Sequence, residues 1–195
     1  MALAEVRTGD DALAQAALAR AHDAYTQLGD ALGLALCDEV LAIHLRRIHD
    51  HAASAALQAE IDQRDGFERD AMYRFVAHNS RAITHKVLGH IDEALRHFYA
   101  AHEAAQQTEL QGPLITAISN LGGYHQTLFN LEDGRALSEQ ALKLAREAGA
   151  RQIVGNSASN LVLAYHALGE PVLAREMAEF LLTHPDELLP GALRR

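Results

Sequence analysis

A spacing of 40 residues runs through this chain and restricts its fold more than any other feature. Positions at that interval read Gly9, His49, Gly89, Phe129 and Gly169, each followed by Asp10, Asp50, His90, Asn130 and Glu170 in turn. Five residues past each turn stand Ala14, Ser54, Ala94, Gly134 and Ala174, all small. Seven further on come Ala21, Ile61, Ala101, Ala141 and Leu181, and just before the turns come Ile48, Leu88, Leu128 and Leu168, all apolar. Several columns in one register mark structural repetition, in which one unit cannot bury its apolar face alone and must stack on its neighbours.

The residue types say what each unit is made of. The 195 residues include 37 alanines and no tryptophan, and β-branched residues are sparse, a mixture that favours helix. Each unit therefore resolves into two amphipathic helices joined by a tight turn, the second starting at the polar residue that follows the turn and caps it. First-type helices are predicted over 31–48, 68–88, 113–128 and 152–168, and second-type helices over 10–26, 51–64, 91–107, 132–148 and 171–183. Residues 2–8 read as the last turns of a further first-type helix. Pro113 and Pro171 fall just inside helix starts, and Pro185 and Pro190 fall in the tail. The column of small residues predicts close helix contact.

The last unit, with Asn160-Leu161-Val162, Tyr165, Gly169, Ala174, Ala178 and Leu181, resembles the tetratricopeptide repeat. Asn120-Leu121-Gly122 in the unit before it, and Gly89, Ala94, Phe98 and Ala101 in the one before that, extend the likeness over most of residues 9–185. The resemblance implies an all-α fold, a right-handed superhelical array of antiparallel helix pairs (an α-solenoid), over 1–185, with 186–195 as a tail or linker to a further domain. Two features depart from the family pattern: the period is 40 where ~34 is usual, and its tryptophan is missing. HEAT repeats, also of ~40 residues, are the structural alternative, and the glycine turn followed by alanine five residues on favours the tetratricopeptide reading. Long units of this kind are similar to those of bacterial signalling proteins that carry a GGDEF diguanylate cyclase or LuxR-type regulator domain.

Charge and motif content narrow the function. The formal net charge of −9 works against nucleic-acid binding, which needs a surplus of Lys and Arg to neutralise phosphate. No apolar run reaches the ~18 residues a membrane span requires, and the start lacks the basic and apolar segments of a secretory signal, so a cytoplasmic protein is expected. The single Cys37 excludes an internal disulfide framework. The phosphate loop, the dinucleotide glycine motif, the nucleophile elbow and the zincin motif are missing, and His102-Glu103 has no second histidine behind it, so no catalytic residue, cofactor or enzymatic activity is expected. The densest histidine cluster, His49-Asp50-His51 with His44, reads as a polar turn whose Asp50 caps a helix, and no metal site is expected there.

The candidate binding residues come from the resemblance, which puts first-type helices on a concave wall with the residue before the recurring leucine facing the ligand. Asn120 and Asn160 occupy that position, Ser80 holds it one unit earlier, and Asn79 adjoins Ser80. Helical spacing places Asn156 one turn from Asn160. With Arg81, Lys86 and Gln126 these form the expected wall: Asn79, Arg81, Lys86, Asn120, Gln126, Asn156 and Asn160. An amide offers donors and an acceptor to an extended peptide backbone, and it can equally bond a neighbouring helix. Arg81 occupies a slot that is leucine elsewhere, and either reaches solvent or fixes a charge where groove meets core. His85, His125 and Tyr165 stand at equivalent positions and are expected between helices with their polar tips satisfied. The carboxylate clamp of some relatives needs a lysine where this chain has Glu39, Asn79, Ser119 and Ser159, so capture of an acidic C-terminus is not supported.

These readings converge on a non-enzymatic scaffold that binds a protein or peptide in its concave groove, as the sensory or docking module of a larger signalling chain. A small-molecule sensor controlling an attached effector and a self-association module are the alternatives. The array opens in mid-unit and ends on His184-Pro185, which predicts a longer parent chain whose terminal apolar faces form a homodimer or meet a neighbouring domain.

Overall fold

The computed structural model describes residues 11–61 and 70–184, all of them in helices or the turns between. The chain divides into two compact units, residues 1–104 and 105–195. The first holds α1 (Asp11–Leu28), α2 (Ala31–Arg47), α3 (His51–Ile61), α4 (Ala71–Leu88) and most of α5 (Ile91–Gln107). The second holds α6 (Gln111–Thr127), α7 (Leu131–Glu147), α8 (Arg151–Ala167) and α9 (Pro171–Thr183). No strand occurs among the described residues. Even-numbered helices are the first type and odd-numbered the second. The expected leading helix at 2–8, the turn at Gly9 and Asp10, the helix ends assigned to 62–64 and 68–69 and the tail 186–195 lie outside the described residues.

The turns recur at half the interval read from the sequence. Left-handed backbone stands at Gly29, His49, Gly89, Glu109, Phe129, Gly149 and Gly169, with φ between 57° and 78°. At most of them the same pair of bonds closes the helix: Gly89 N–H donates to Lys86 O and His90 N–H to His85 O, and Gly169 N–H donates to His166 O and Glu170 N–H to Tyr165 O. This Schellman arrangement satisfies the last carbonyls and reverses the chain at each of these turns. The turn at Glu109 closes differently, with Thr108 Oγ1 donating to Ala105 O and accepting from Leu110 N–H. Helix starts also differ from the expected pattern. Asp30, Asp50 and Asp70 each accept a hydrogen bond from the N–H three residues on, whereas Asn130 and Glu170 make no such bond. Glu170 leaves that role to Pro171, whose ring presets the first helical turn.

Packing within each unit follows the small-residue column. Ala14, Ser54 and Ala94 are buried in the first unit, as are Gly134 and Ala174 in the second. Ser54 Oγ donates to Ala42 O across the α2–α3 seam at 2.8 Å. At the α6–α7 seam, a Cβ on Gly122 would come within 3.1 Å of the Ser138 nitrogen, and one on Gly134 within 3.0 Å of Gly122 O, so the two backbones touch there. First-type helices also pack on one another, α2 on α4 and α6 on α8, and α3 and α7 each bridge two of them. In the second unit Ile115, Leu142, Ile153, Leu161 and Tyr165 form the core, with Met177 and Phe180 of α9 covering its edge. Burying each large side chain removes it from water at about 1.5 to 3 kcal/mol, which gives the stacked hairpin a stability an isolated one lacks.

Candidate functional site

In the second unit α6 and α8 run beside each other, and Asn160 lies at their seam. Asn160 is half-buried, with Nδ2 3.5 Å from Ser119 O, and its amide packs against Gly123, where any Cβ would come within 2.9 Å of it. Ser119 and Ser157 exchange a buried hydrogen bond at 3.1 Å beneath. Asn120 is half-buried, and Asn156, one turn before Asn160, is exposed. Asn160 and the Ser119–Ser157 pair thus join the two helices, while the amide of Asn156 is on the exposed side.

Gln126 does not join that edge. Its Nε2 donates to Gly134 O at 3.3 Å and to Ser138 Oγ at 3.2 Å, so it belongs to the seam with α7. Six residues along a helix turn the side chain by about 240° from Asn120, onto a different face. The polar tips of the equivalent column are occupied, as expected. Tyr165 Oη donates to Glu139 Oε1 at 2.9 Å, and burial together with that carboxylate pushes the phenol up to about 12. His125 Nδ1 lies 3.4 Å from Asn130 Nδ2.

In the first unit Asn79 is half-buried and Lys86 exposed, whereas Arg81 is only 4 % exposed and is not a surface residue. Its Nη1 donates to Glu39 Oε1 at 2.6 Å, and Glu39 is fully buried. The Glu39 carboxylate thus serves the core. The pair is one end of a network: Arg81 Nη2 reaches Gln58 O at 3.5 Å, Gln58 Nε2 donates to Ser80 Oγ at 2.8 Å, and Arg46 Nη1 donates to Ser80 O and Thr84 Oγ1 at 3.1 and 3.2 Å. Burial lowers the Arg46 guanidinium to about 10, against the opposing pull of Glu39, so it stays charged at neutrality. The network ties α2, α3 and α4 together with paired charge; the pair offsets its own desolvation, and removing one partner alone leaves a buried charge uncompensated.

The His49-Asp50-His51 turn is the polar cap expected from the sequence: Asp50 Oδ1 accepts from Ala53 N–H, and the two rings meet edge to face at 5.9 Å. His44 is buried and turns towards Gln15, 3.4 Å away. The closest gathering of imidazoles lies elsewhere, on the α4–α5 hairpin. His85 and His90 place their Nδ1 atoms 3.2 Å apart, and His78 and His97 place theirs 3.0 Å apart. His85 stacks on His97 with ring centres 5.4 Å apart and planes 7° from parallel. Desolvation, and after it His78 and Arg96, lowers His97 to about 4; desolvation and His90 lower His85. Both rings are therefore neutral at neutral pH. The sequence held a signal for this cluster: the four histidines mirror each other about a point between Val87 and Leu88, just before the turn at Gly89, the outer pair seven residues beyond the inner pair on either side.

Among the described residues no three His, Cys, Asp or Glu side chains are arranged to hold one metal ion, and no helix is long and apolar enough to cross a membrane. No protein-family model and no curated protein sequence matches the chain. Among solved structures, it is similar to BtubC (BKLC) from P. vanneervenii, with a TM-score of 0.70 at 19% identity over 91% of this chain and 74% of that one. At that identity the likeness speaks for the fold alone.

Proposed function

We propose that the chain is a non-enzymatic interaction scaffold of the tetratricopeptide type, a right-handed superhelical array of helix pairs that receives an extended protein or peptide segment on its first-type helices. In this reading it is the docking or sensory module of a larger bacterial signalling protein in the cytoplasm, such as a GGDEF diguanylate cyclase. The observation that carries the reading is the packing of first-type helices on one another, α2 on α4 and α6 on α8, with α3 and α7 each laid across two of them. In this reading the first-type side is the inner, concave one, as in stacked helical-repeat arrays. On that side of the second unit stand the amides of Asn120, Asn156 and Asn160, able to bond both N–H and C=O groups of an extended backbone. The experiment is a selection of random extended peptides on the intact chain, repeated on an Asn120→Ala/Asn156→Ala variant with an unchanged helical melt. The reading expects peptides that bind the natural chain and lose affinity for the variant. Peptides held equally by both would place the site elsewhere.

A cleft between α1 and α2 supports a second reading, in which a small molecule is sensed. Its volume of about 360 Å³ is within the range of small-ligand pockets, and Leu18, Cys37, Leu41 and Ile48 line it beside the polar groups of Gln15 and His44. A metabolite that raises the melting temperature of the natural chain but not of a Leu41→Arg variant would favour it.

A further inference from the structure

We propose that the mirrored histidines of the α4–α5 hairpin form two rungs, His85 with His90 and His78 with His97, each able to chelate a divalent cation of the imidazole-seeking class, copper, nickel or zinc. The geometry carries the inference. Metal–nitrogen bonds of ~2.0 to 2.1 Å put two neighbouring ligand nitrogens roughly 2.9 Å apart at a right angle and roughly 3.3 Å apart at a tetrahedral one. The Nδ1 pairs are 3.2 and 3.0 Å apart, inside that interval, so an ion can replace the shared hydrogen bond of a rung, the donor ring carrying its proton on Nε2 instead and both rings tilting towards the ion, without moving either helix. The two ligands of each rung come from opposite sides of one turn, so an ion there staples the hairpin.

Each rung supplies two nitrogens, and among the described residues no third donor converges on either one, which leaves the remaining positions to water. The rungs are not equivalent. His90 is exposed, and although Arg96 and Arg81 act on both His85 and His97, the Glu93 carboxylate acts on His85 alone of the two and offsets their charge there. The His85–His90 rung therefore fills first. This site is independent of the peptide-binding reading, because none of the proposed wall asparagines belongs to it.

The test is calorimetric titration of Cu²⁺ alone into the full chain at neutral pH, compared with His90→Gln and His97→Gln variants whose melts in chelator match the natural chain. Two-point attachment makes the second bond intramolecular, so His90→Gln should weaken the tighter event on the order of 10²-fold. His97→Gln should weaken only the looser one. A measurement without substitution runs beside it: Zn²⁺ should shift the ring-nitrogen NMR resonances of His85 and His90 before those of any other histidine. Equal Cu²⁺ affinity in the natural chain and the His90→Gln variant, or first Zn²⁺ shifts at His49 and His51, would overturn the proposal.

Discussion

Gly134→Ala puts one methyl group into the seam between α6 and α7, and its outcome depends on how close those helices lie. The new carbon would stand 2.6 Å from Gln126 Cγ and 3.0 Å from both the Gln126 nitrogen and the Gly122 oxygen. The Cγ can swing aside, at the expense of the Gln126 bonds to Gly134 O and Ser138 Oγ. The two backbone atoms move only if α6 moves. Restoring contacts of ~3.5 Å requires the helices to part by roughly 0.5 Å, and overpacking of that kind costs about 1 to 3 kcal/mol. Alanine in place of helical glycine returns about 1 kcal/mol, leaving a net loss of up to about 2 kcal/mol. Gly112→Ala is the matched control: it sits in the first turn of α6 with nothing within 4 Å of the methyl group it would add, so it should gain up to about 1 kcal/mol. Urea unfolding with unchanged slopes reads both differences directly. If Gly134→Ala stabilised the chain as Gly112→Ala does, the close backbone contact between α6 and α7 would be refuted, and with it the meaning given to the column of small residues.

Arg81→Leu, which restores the residue of the other units, should destabilise by about 3 to 5 kcal/mol because the buried Glu39 carboxylate loses its ion pair, while adding Glu39→Met should recover most of the loss; chemical denaturation of both variants checks this. Phe129 is 84 % exposed in left-handed backbone with φ 62°, so Phe129→Gly should stabilise by about 1 kcal/mol in the same assay. The Tyr165 phenol is raised in the folded chain, so its contribution is intact below pH 10, the ordinary value, and is lost as pH rises towards about 12. Ultraviolet titration of the natural chain against Tyr165→Phe should show one late-ionising tyrosine that the variant lacks.

The helices are legible in the sequence because their punctuation is chemical. Gly89 and Gly169 mark turns that need left-handed backbone, and the alanine-rich segments between them leave helix as the only option. The 20-residue step is harder to see because His49, Glu109 and Phe129 occupy left-handed positions that glycine usually marks, although Asp30, Asp50 and Asp70 keep that step at the helix starts. Polarity alone puts Gln126 on the wall, whereas its angle on α6 turns it to α7. Arg81 and Glu39 each stand out as exceptions in their columns, yet nothing in one dimension joins residues 42 apart until α2 and α4 lie side by side. The histidine rungs are hidden because closeness along the chain draws attention to His49 and His51, whereas an antiparallel hairpin brings together residues equidistant from its turn.

Whether the first-type helices present the binding surface is decided by side-chain amide NMR of the intact chain, titrated with a peptide selected on it. If they do, the amide signals of Asn120, Asn156 and Asn160 shift together and saturate with the bound fraction, while the guanidinium signals of Arg135 and Arg175 on α7 and α9 stay in place. Shifts confined to Arg135 and Arg175, with the three asparagines unmoved, would contradict this and assign binding to the second-type helices.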